Sequence, residues 1–301
     1  MPTTRDDVQP LVNGLGYLAL GVTDLAASVA FYRDVCQLDV TEQREDIAFL
    51  RGDNRHHWLR LEQRDTPGLI RVGFEARDAR ALDEVTRRLE QRSIQWTLGG
   101  TIRADRVSQS IRFEDIDGIA IELYEEMVTV PTSAQPSGIG LDLMLHAVFN
   151  VRDVAASRNF WSEVLGFRRS DQIEDLAVFM RCGNRYHHSV AFLSGGATAG
   201  TLDHFALLVD GIDDVMRMRT LAEYCGISLQ HDLVRDGASG AIAVSLRDGS
   251  NDIGVEFCTG HEQIEDDSYG GRLLMASAGT GNVWSAVPGM AAGARRVGGR
   301  V

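Results

Sequence analysis

Residues 143–164 read LMLHAVFNVRDVAASRNFWSEV, and residues 15–35 read LGYLALGVTDLAASVAFYRDV. Each stretch runs from an apolar, strand-like segment through an aspartate placed to cap a helix, Asp153 or Asp24, into an amphipathic segment. Val154, Trp161, Val164 and Leu165 fall on one helical stripe in the later copy, and Leu25, Val29, Tyr32 and Cys36 do so in the earlier one. The likeness continues through DNRHHWLRL (53–61) and GNRYHHSVAF (183–192), then LIRVGFEARDARALDEVTRRLE (69–90) and LDHFALLVDGIDDVMRMRTLAE (202–223), and ends on DIDGIAIELYEE (115–126) and RDGSNDIGVEFCTG (247–260). Asp24 aligns with Asp153, His57 with His188, Arg71 with His204 and Glu122 with Glu256. The offset grows steadily along the chain, as small loop insertions in the later copy would make it; chance matches would scatter. One module is therefore written twice.

Each copy reads strand, helix, then three strands, a βαβββ pattern that puts the chain in the α+β class as two homologous modules. Their expected extents are 13–128 and 142–262. A short extension, 1–12, precedes the first, and VPTSAQPSGIG (130–140) marks a linker over 129–141. From 263 to 301 glycine and alanine replace periodic apolar spacing, the composition of a docked or partly disordered tail.

With 301 residues the chain is long enough for two such cores, and a 44% hydrophobic content can fill them. Its 43 acidic residues against 30 basic ones leave a net charge of -13, which repels phosphate backbones and anionic lipid. No nucleic-acid or membrane partner is expected. The opening MPTTRDDVQP lacks a basic segment followed by an apolar run, and no stretch approaches the length of an apolar span, so a soluble, cytoplasmic protein is expected. Cys36, Cys182, Cys225 and Cys258 form no C-x-x-C pair, which argues for buried free thiols rather than a zinc knuckle or a disulfide framework.

The two copies differ where chemistry could sit. Tyr17, Arg71 and Glu122 in the first correspond to His146, His204 and Glu256 in the second, and only the second set can hold a metal. His146 in LMLHAVF and His204 in LDHFALLV stand among apolar neighbours on strands expected to be buried. Glu256 stands between Val255 and Phe257, where an ionised carboxylate is costly unless paired or coordinated. Two imidazoles and a carboxylate, each on a different strand of one module, are the donor set of a facial triad that leaves positions open on non-haem Fe(II); Mn(II) suits the same donors. Alternation along GNRYHHSVAF, read as a strand, puts Tyr186, His188, Val190 and Phe192 on one face and His187, Ser189 and Ala191 on the other. Only one histidine of the pair can then face the metal.

In these features the chain resembles the type I extradiol ring-cleavage dioxygenases of the vicinal oxygen chelate superfamily, over residues 13–262. The ordered set His146, His188, His204 and Glu256 is the most specific part of the resemblance. It implies that each module is a pair of βαβββ units whose curved mixed sheet forms an open barrel. It implies also that His146, His204 and Glu256 bind Fe(II), or Mn(II), and that a homo-oligomer opens the ring of a small aromatic diol with O2. His188 would take the diol proton from the second sphere, His187 would be structural, and His231, matched through LQH, would contact substrate. His56 and His57 have no metal partners at Tyr17 or Arg71 and read as an echo kept in a scaffold module.

One departure stands out. Those dioxygenases usually carry a tyrosine shortly before the ligand glutamate, whereas AIAVSLRDGSNDIGVE (241–256) has Ser245 and Leu246 at the candidate places. A roomier pocket suited to a bulkier diol would follow, with Leu246 expected against its hydrocarbon. Two further readings stay open. One is another metal enzyme on this scaffold, a glyoxalase-like isomerase with a further protein ligand or a hydroquinone-cleaving dioxygenase. The other is a metal-free protein that binds small aromatic molecules, against which the retained triad argues.

Overall fold

The computed structural model describes residues 10–131, 138–249 and 251–285; the expected extension, linker and tail lie partly outside them. The first module runs β1 (Val12–Val22), α1 (Leu25–Ala30), β2 (Asp39–Gln43), β3 (Ile47–Arg51), β4 (Leu59–Gln63), β5 (Gly68–Ala76), α2 (Ala79–Gln91), β6 (Trp96–Leu98), α3 (Ile102–Asp105), β7 (Ser110–Glu114) and β8 (Ala120–Tyr124). The second repeats the order as β9 (Leu141–Val151), α4 (Val154–Leu165), β10 (Arg168–Ile173), β11 (Ala177–Arg181), β12 (Val190–Ser194), β13 (Thr201–Val209), α5 (Ile212–Cys225), β14 (Leu229–Arg235), β15 (Ile242–Asp248) and β16 (Ile253–Thr259). A last strand, β17 (Arg272–Leu274), and the single turn α6 (Ala278–Gly281) follow.

Local chemistry starts the helices where the repeat predicts. Asp24 Oδ1 accepts from Ala27 N at 2.9 Å, and Asp153 Oδ1 accepts from Ala155 N and Ala156 N at 2.9 and 3.0 Å, so each satisfies amides that an open helix end would leave unpaired. Helix α4 stops at Gly166, whose φ of 77° suits glycine.

The first sheet has 8 strands in the order β2-β3-β4-β1-β5-β8-β7-β6, and the second has 9 in the order β14-β15-β16-β13-β9-β12-β11-β10-β17. Read from its other end, the second sheet is the first with β17 added beyond β10. The central pair, β1 with β5 or β9 with β13, is antiparallel, and each member has a parallel outer neighbour. Two βαβββ units thus lie side by side in each mixed, curved sheet.

Strand alternation divides the faces. The helix-bearing faces of both sheets share one apolar core that includes Leu18, Phe74, Phe149, Phe192, Phe205 and Phe257. On the opposite faces lie smaller clusters, around Tyr17 and Tyr124 in the first module and around Leu145, Ala206 and Cys258 in the second. Trp161 joins the modules: it is fully buried, stands edge-on to Phe74 at 5.5 Å, and donates Nε1–H to Asp115 Oδ2 at 3.0 Å. Burial pushes the Asp115 carboxyl up, and the bonds from Trp161 and two backbone amides pull against that. Cys36, Cys182 and Cys258 are buried as expected, but Cys225 is exposed because the last turn of α5 runs past that helix's buried stripe at Val215, Met218 and Ala222. No helix among the described residues is long and apolar enough to cross a membrane.

A core shared in this way couples the modules. Trp161→Ala is expected to lower stability by about 3–5 kcal/mol while keeping a single unfolding transition in denaturant titrations followed by fluorescence and circular dichroism. Two separated transitions in the wild-type protein would show that the modules fold independently.

Candidate metal centre

Strand register builds the site. Pairing across β9, β13, β16, β15 and β14 lines up His146, Ala206, Glu256, Ser245 and His231 as one row across the inner face. His204 stands two residues before Ala206 on the same face, opposite Gly254 of β16. His146 Nε2 comes within 3.7 Å of Glu256 Oε1 and His204 Nε2 within 3.9 Å of Oε2, so the three ligand atoms lie within 4.8 Å of one another. His204 Nδ1 is 2.7 Å from Asp203 Oδ2, which also accepts from Gln230 Nε2 at 3.3 Å; the carboxylate orients the ring and aims Nε2 at Glu256. Gly254 permits this packing, since a Cβ there would lie 2.7 Å from His204 Cβ and 1.9 Å from Gln230 Oε1.

The electrostatics ask for a cation. Burial pushes the Glu256 carboxyl up despite His204, and burial drives His146 well below the usual histidine range. Burial also pulls His204 down, but the Asp203 hydrogen bond and the Glu256 charge outweigh it and leave that pKa raised. Two imidazoles and one carboxylate oxygen converge on one point, and His146 keeps a buried Nδ1 with no hydrogen-bond partner. Such a donor set fits a divalent ion with positions left open.

His188 lies beside this group, its ring centroid 4.2 Å from that of His146. The continuous strand read through GNRYHHSVAF is corrected by the structure: β12 begins only at Val190, Arg185 has a φ of 63°, Tyr186 makes an isolated bridge to Gln263, and His187 N donates to Glu262 O at 2.7 Å. Freed from alternation, the two rings meet instead of pointing apart, with their Nδ1 atoms 3.1 Å from each other. His187 Nε2 bonds Asp171 Oδ2 at 2.9 Å. Asp171 is clasped in turn by the Arg272 backbone N at 2.7 Å, by its guanidinium, and by Tyr269 OH at 3.1 Å. Burial alone would raise the Asp171 carboxyl, but the bonds from His187 and Arg272 hold it well below the usual carboxylate range. An ionised Asp171 takes the N–H of His187 Nε2; with the proton there, His187 Nδ1 accepts from His188 Nδ1–H, and the His188 lone pair is left on Nε2.

Residues 14–123 and 143–255 match the family model of the Glyoxalase/Bleomycin resistance protein/Dioxygenase superfamily. The chain belongs to that superfamily. It is 30% identical over 221 residues to the biphenyl-2,3-diol 1,2-dioxygenase of Paraburkholderia xenovorans, a match covering 68% of this chain and 74% of the relative. To the 1,2-dihydroxynaphthalene dioxygenase of Sphingobium xenophagum it is 27% identical over 265 residues, with 82% and 84% covered. Among solved structures, a variant of homoprotocatechuate 2,3-dioxygenase from B. fuscum superposes with a TM-score of 0.84 at 22% identity, over 92% of this chain and 79% of that one. The Mn(II)-bound glyoxalase from Novosphingobium aromaticivorans superposes with a TM-score of 0.79, also at 22% identity, over 92% of both chains. At that identity both likenesses are of fold.

Within this superfamily fold, Ser245 faces the site, with Oγ 3.4 Å from Glu256 Oε2. Leu246 does not: it is fully buried in the core beneath the helices, so the expectation that it packs against a ligand is overturned by the same alternation that turns Ser245 inward. The inner face next to the row carries Ala243, Cys258, Leu208 and Leu143 instead. His231 is exposed on the edge strand β14, close enough to His204 for their charges to interact but outside the ligand group. His261 was missed in the sequence because it follows the end of β16, past Gly260, where strand periodicity carries no information. It is buried, with its ring 4.6 Å from His188 and 5.8 Å from His146.

The first module carries the same row with different chemistry, Tyr17, Gly73, Glu122, Arg112 and Thr97. Glu122 is fully buried and fully answered by protein: Ser110 Oγ at 2.6 Å, Arg112 Nε at 3.0 Å and Gly100 N at 3.2 Å meet Oε1, while the Tyr17 hydroxyl and Arg71 Nε meet Oε2. Burial would raise its carboxyl, but Arg71 and these donors hold it down. Gly73 leaves room for the Tyr17 ring, which a Cβ would approach to 2.0 Å. His56 and His57 repeat the pair with Nδ1 atoms 3.2 Å apart and Glu42 in the place of Asp171, yet neither joins a metal-ligating group among the described residues.

The clasp on Asp171 carries a pH signature. Its folded-state pKa lies below the unfolded value of about 3.9, so its contribution is present above that pH and is lost as pH falls toward the folded pKa. Asp171→Asn is expected to cost about 3–5 kcal/mol at pH 7, with the gap to wild type narrowing between about pH 5 and pH 2 in urea titrations. A gap that stays constant over that range would mean that the carboxylate's charge does not matter.

Proposed function

We propose that the chain is a metal-dependent dioxygenase that opens the ring of an aromatic 1,2-diol with O2, and that His146, His204 and Glu256 hold Fe(II), Mn(II) being the other ion suited to these donors. The observation that carries this reading is the convergence of those three side chains, among the described residues in one module only, beside a histidine whose Nε2 lone pair is uncommitted. The activities named for the similar enzymes, on biphenyl-2,3-diol and 1,2-dihydroxynaphthalene, support it. The triad group contains three protein ligand atoms, which favours this reading over an isomerase that needs a further protein ligand.

When bound, the ion supplies Lewis acidity to the diol oxygens and open positions where substrate and O2 become neighbours. The chain's own residues do the rest. Asp203 locks the His204 ring, and Glu256 balances the charge of the ion. His188 Nε2 accepts the proton released by the diol, its tautomer set through His187 by Asp171. Burial of His146 and His188 keeps water away from the reacting face. Ala206, Ala243, Ser245 and Cys258 leave a low inner wall that accommodates an aryl substituent, and exposed His231 is assigned to substrate contact at the rim.

Three outcomes test this. Protein purified anaerobically should carry about one divalent ion per chain, lost on replacing His146, His204 or Glu256 by Ala; retention after all three changes would place the ion elsewhere. His188→Ala should keep the metal but slow turnover by about 100- to 10,000-fold, whereas His57→Ala should alter stability alone; equal kinetic damage from both would point to a working first module. Finally, kcat/KM should be higher for an aryl-substituted or bicyclic diol than for catechol, because each buried methylene contributes about 0.8 kcal/mol. A clear preference for the unsubstituted ring would remove the low wall as a determinant.

A further inference from the structure

A second group of three stands against the triad: His146, His188 and His261 are all buried and place their ligand atoms within 4.8 Å of one another. The proposed reaction gives His261 no task. Its Nδ1 lies 3.4 Å from the Glu262 carbonyl and donates there, which leaves the lone pair on Nε2. That Nε2 is buried with no hydrogen-bond partner. The lone pair of His188 is likewise on Nε2, because its Nδ1 is committed to His187. The two rings are 4.6 Å apart, so the His188 and His261 lone pairs belong to one cluster, with His261 Nε2 its buried, unanswered acceptor. His146 adds a third imidazole with its own orphaned Nδ1. Buried acceptors left unanswered carry their full desolvation cost, and a cation that accepts their lone pairs removes it.

No carboxylate belongs to this group. Glu256 stands 3.7 Å from His146 Nε2 as a member of the triad, and Asp171 is held by His187 and Arg272. An all-nitrogen set with no anionic donor favours ions high in the Irving–Williams order and accustomed to imidazole, rather than the harder Fe(II) and Mn(II).

We propose that His146, His188 and His261 form a second metal position, distinct from the triad and selective for a nitrogen-preferring divalent ion such as Cu(II) or Zn(II). Because His146 is common to both groups, an ion here competes with one in the triad. It also consumes the lone pair of His188. Occupancy is therefore inhibitory under the proposed function, but the position itself needs only the three imidazoles and exists whichever reaction the triad performs.

Cu(II) is the probe, added to full-length protein stripped of metal, with electron paramagnetic resonance counting the coordinated nitrogens and a chelator competition giving affinity. A His204→Gln/Glu256→Gln variant is expected to keep one tightly bound Cu(II) with three nitrogen ligands. Adding His261→Gln should weaken it by about 100-fold. Loss of Cu(II) from the double variant in its folded state, or an affinity and spectrum indifferent to His261→Gln, overturns the proposal. If circular dichroism shows the double variant unfolded, wild type against His261→Gln alone decides: one nitrogen fewer supports the position, and an unchanged spectrum overturns it. Mn(II) binding in the same proteins reads the triad separately, since it should vanish with His204 and Glu256 changed and survive His261→Gln.

Discussion

Each sheet carries a glutamate at the centre of its inner face, Glu122 fully buried and Glu256 half-buried, and the need to answer that charge governs what surrounds it. Around Glu122 the answer is covalently part of the chain: two guanidiniums, a phenol, a hydroxyl and an amide close on its oxygens. Around Glu256 the corresponding positions hold His146, His204 and Ser245, which together bring too little positive charge to balance a carboxylate taken out of water. That deficit is what supports the proposed ion in the second module. Asp203, Gln230 and Gly254 then serve to fix the direction of one imidazole within it.

The duplication explains how one architecture supports both outcomes. The central antiparallel pair with its parallel flanks brings the same five positions into line in either module, with Arg71 or His204 two residues before the second of them; His146, His204 and Ser245 in place of Tyr17, Arg71 and Arg112 separate the donor set from the salt-bridged scaffold. The histidine pair was copied with its support: Arg106 holds Glu42 beside His56 much as Arg272 holds Asp171 beside His187. What the second module adds is recruitment of later chain. β17 extends its sheet, and Arg272 and Tyr269 tie that segment to the hydrogen-bond sequence ending at His188. The shared core, with Trp161 at its centre, holds the two modules in one body while leaving their inner faces separate.

Much of this was legible in the residues. The repeat, the capping aspartates, the strand order within a unit and the contrast between Tyr17, Arg71 and His146, His204 all follow from local periodicity and from comparing one copy with the other. Those features depend on neighbours in the chain, and a duplicated chain supplies its own reference. The structure brings His146, His204 and Glu256 together because strand pairing obeys that same periodicity.

Other features were decided only by tertiary contact. The residues before β12 look like strand by composition, but bridges to the segment after β16 bend them, so His187 and His188 converge instead of alternating. Leu246 and Ser245 are equivalent by spacing from Glu256, and only the sheet register says which of them faces the site. His261 lies beyond the last periodic residue, and Arg272 lies in a stretch whose composition suggests a tail; each finds its place through partners far away in the chain, His188 for the one and Asp171 for the other, by burial and hydrogen bonding. By itself the sequence determined which residues could carry charge and which strands repeat, because those are properties of short segments. The three-dimensional packing decided which lone pairs meet, because that depends on distance through space, which no local pattern encodes.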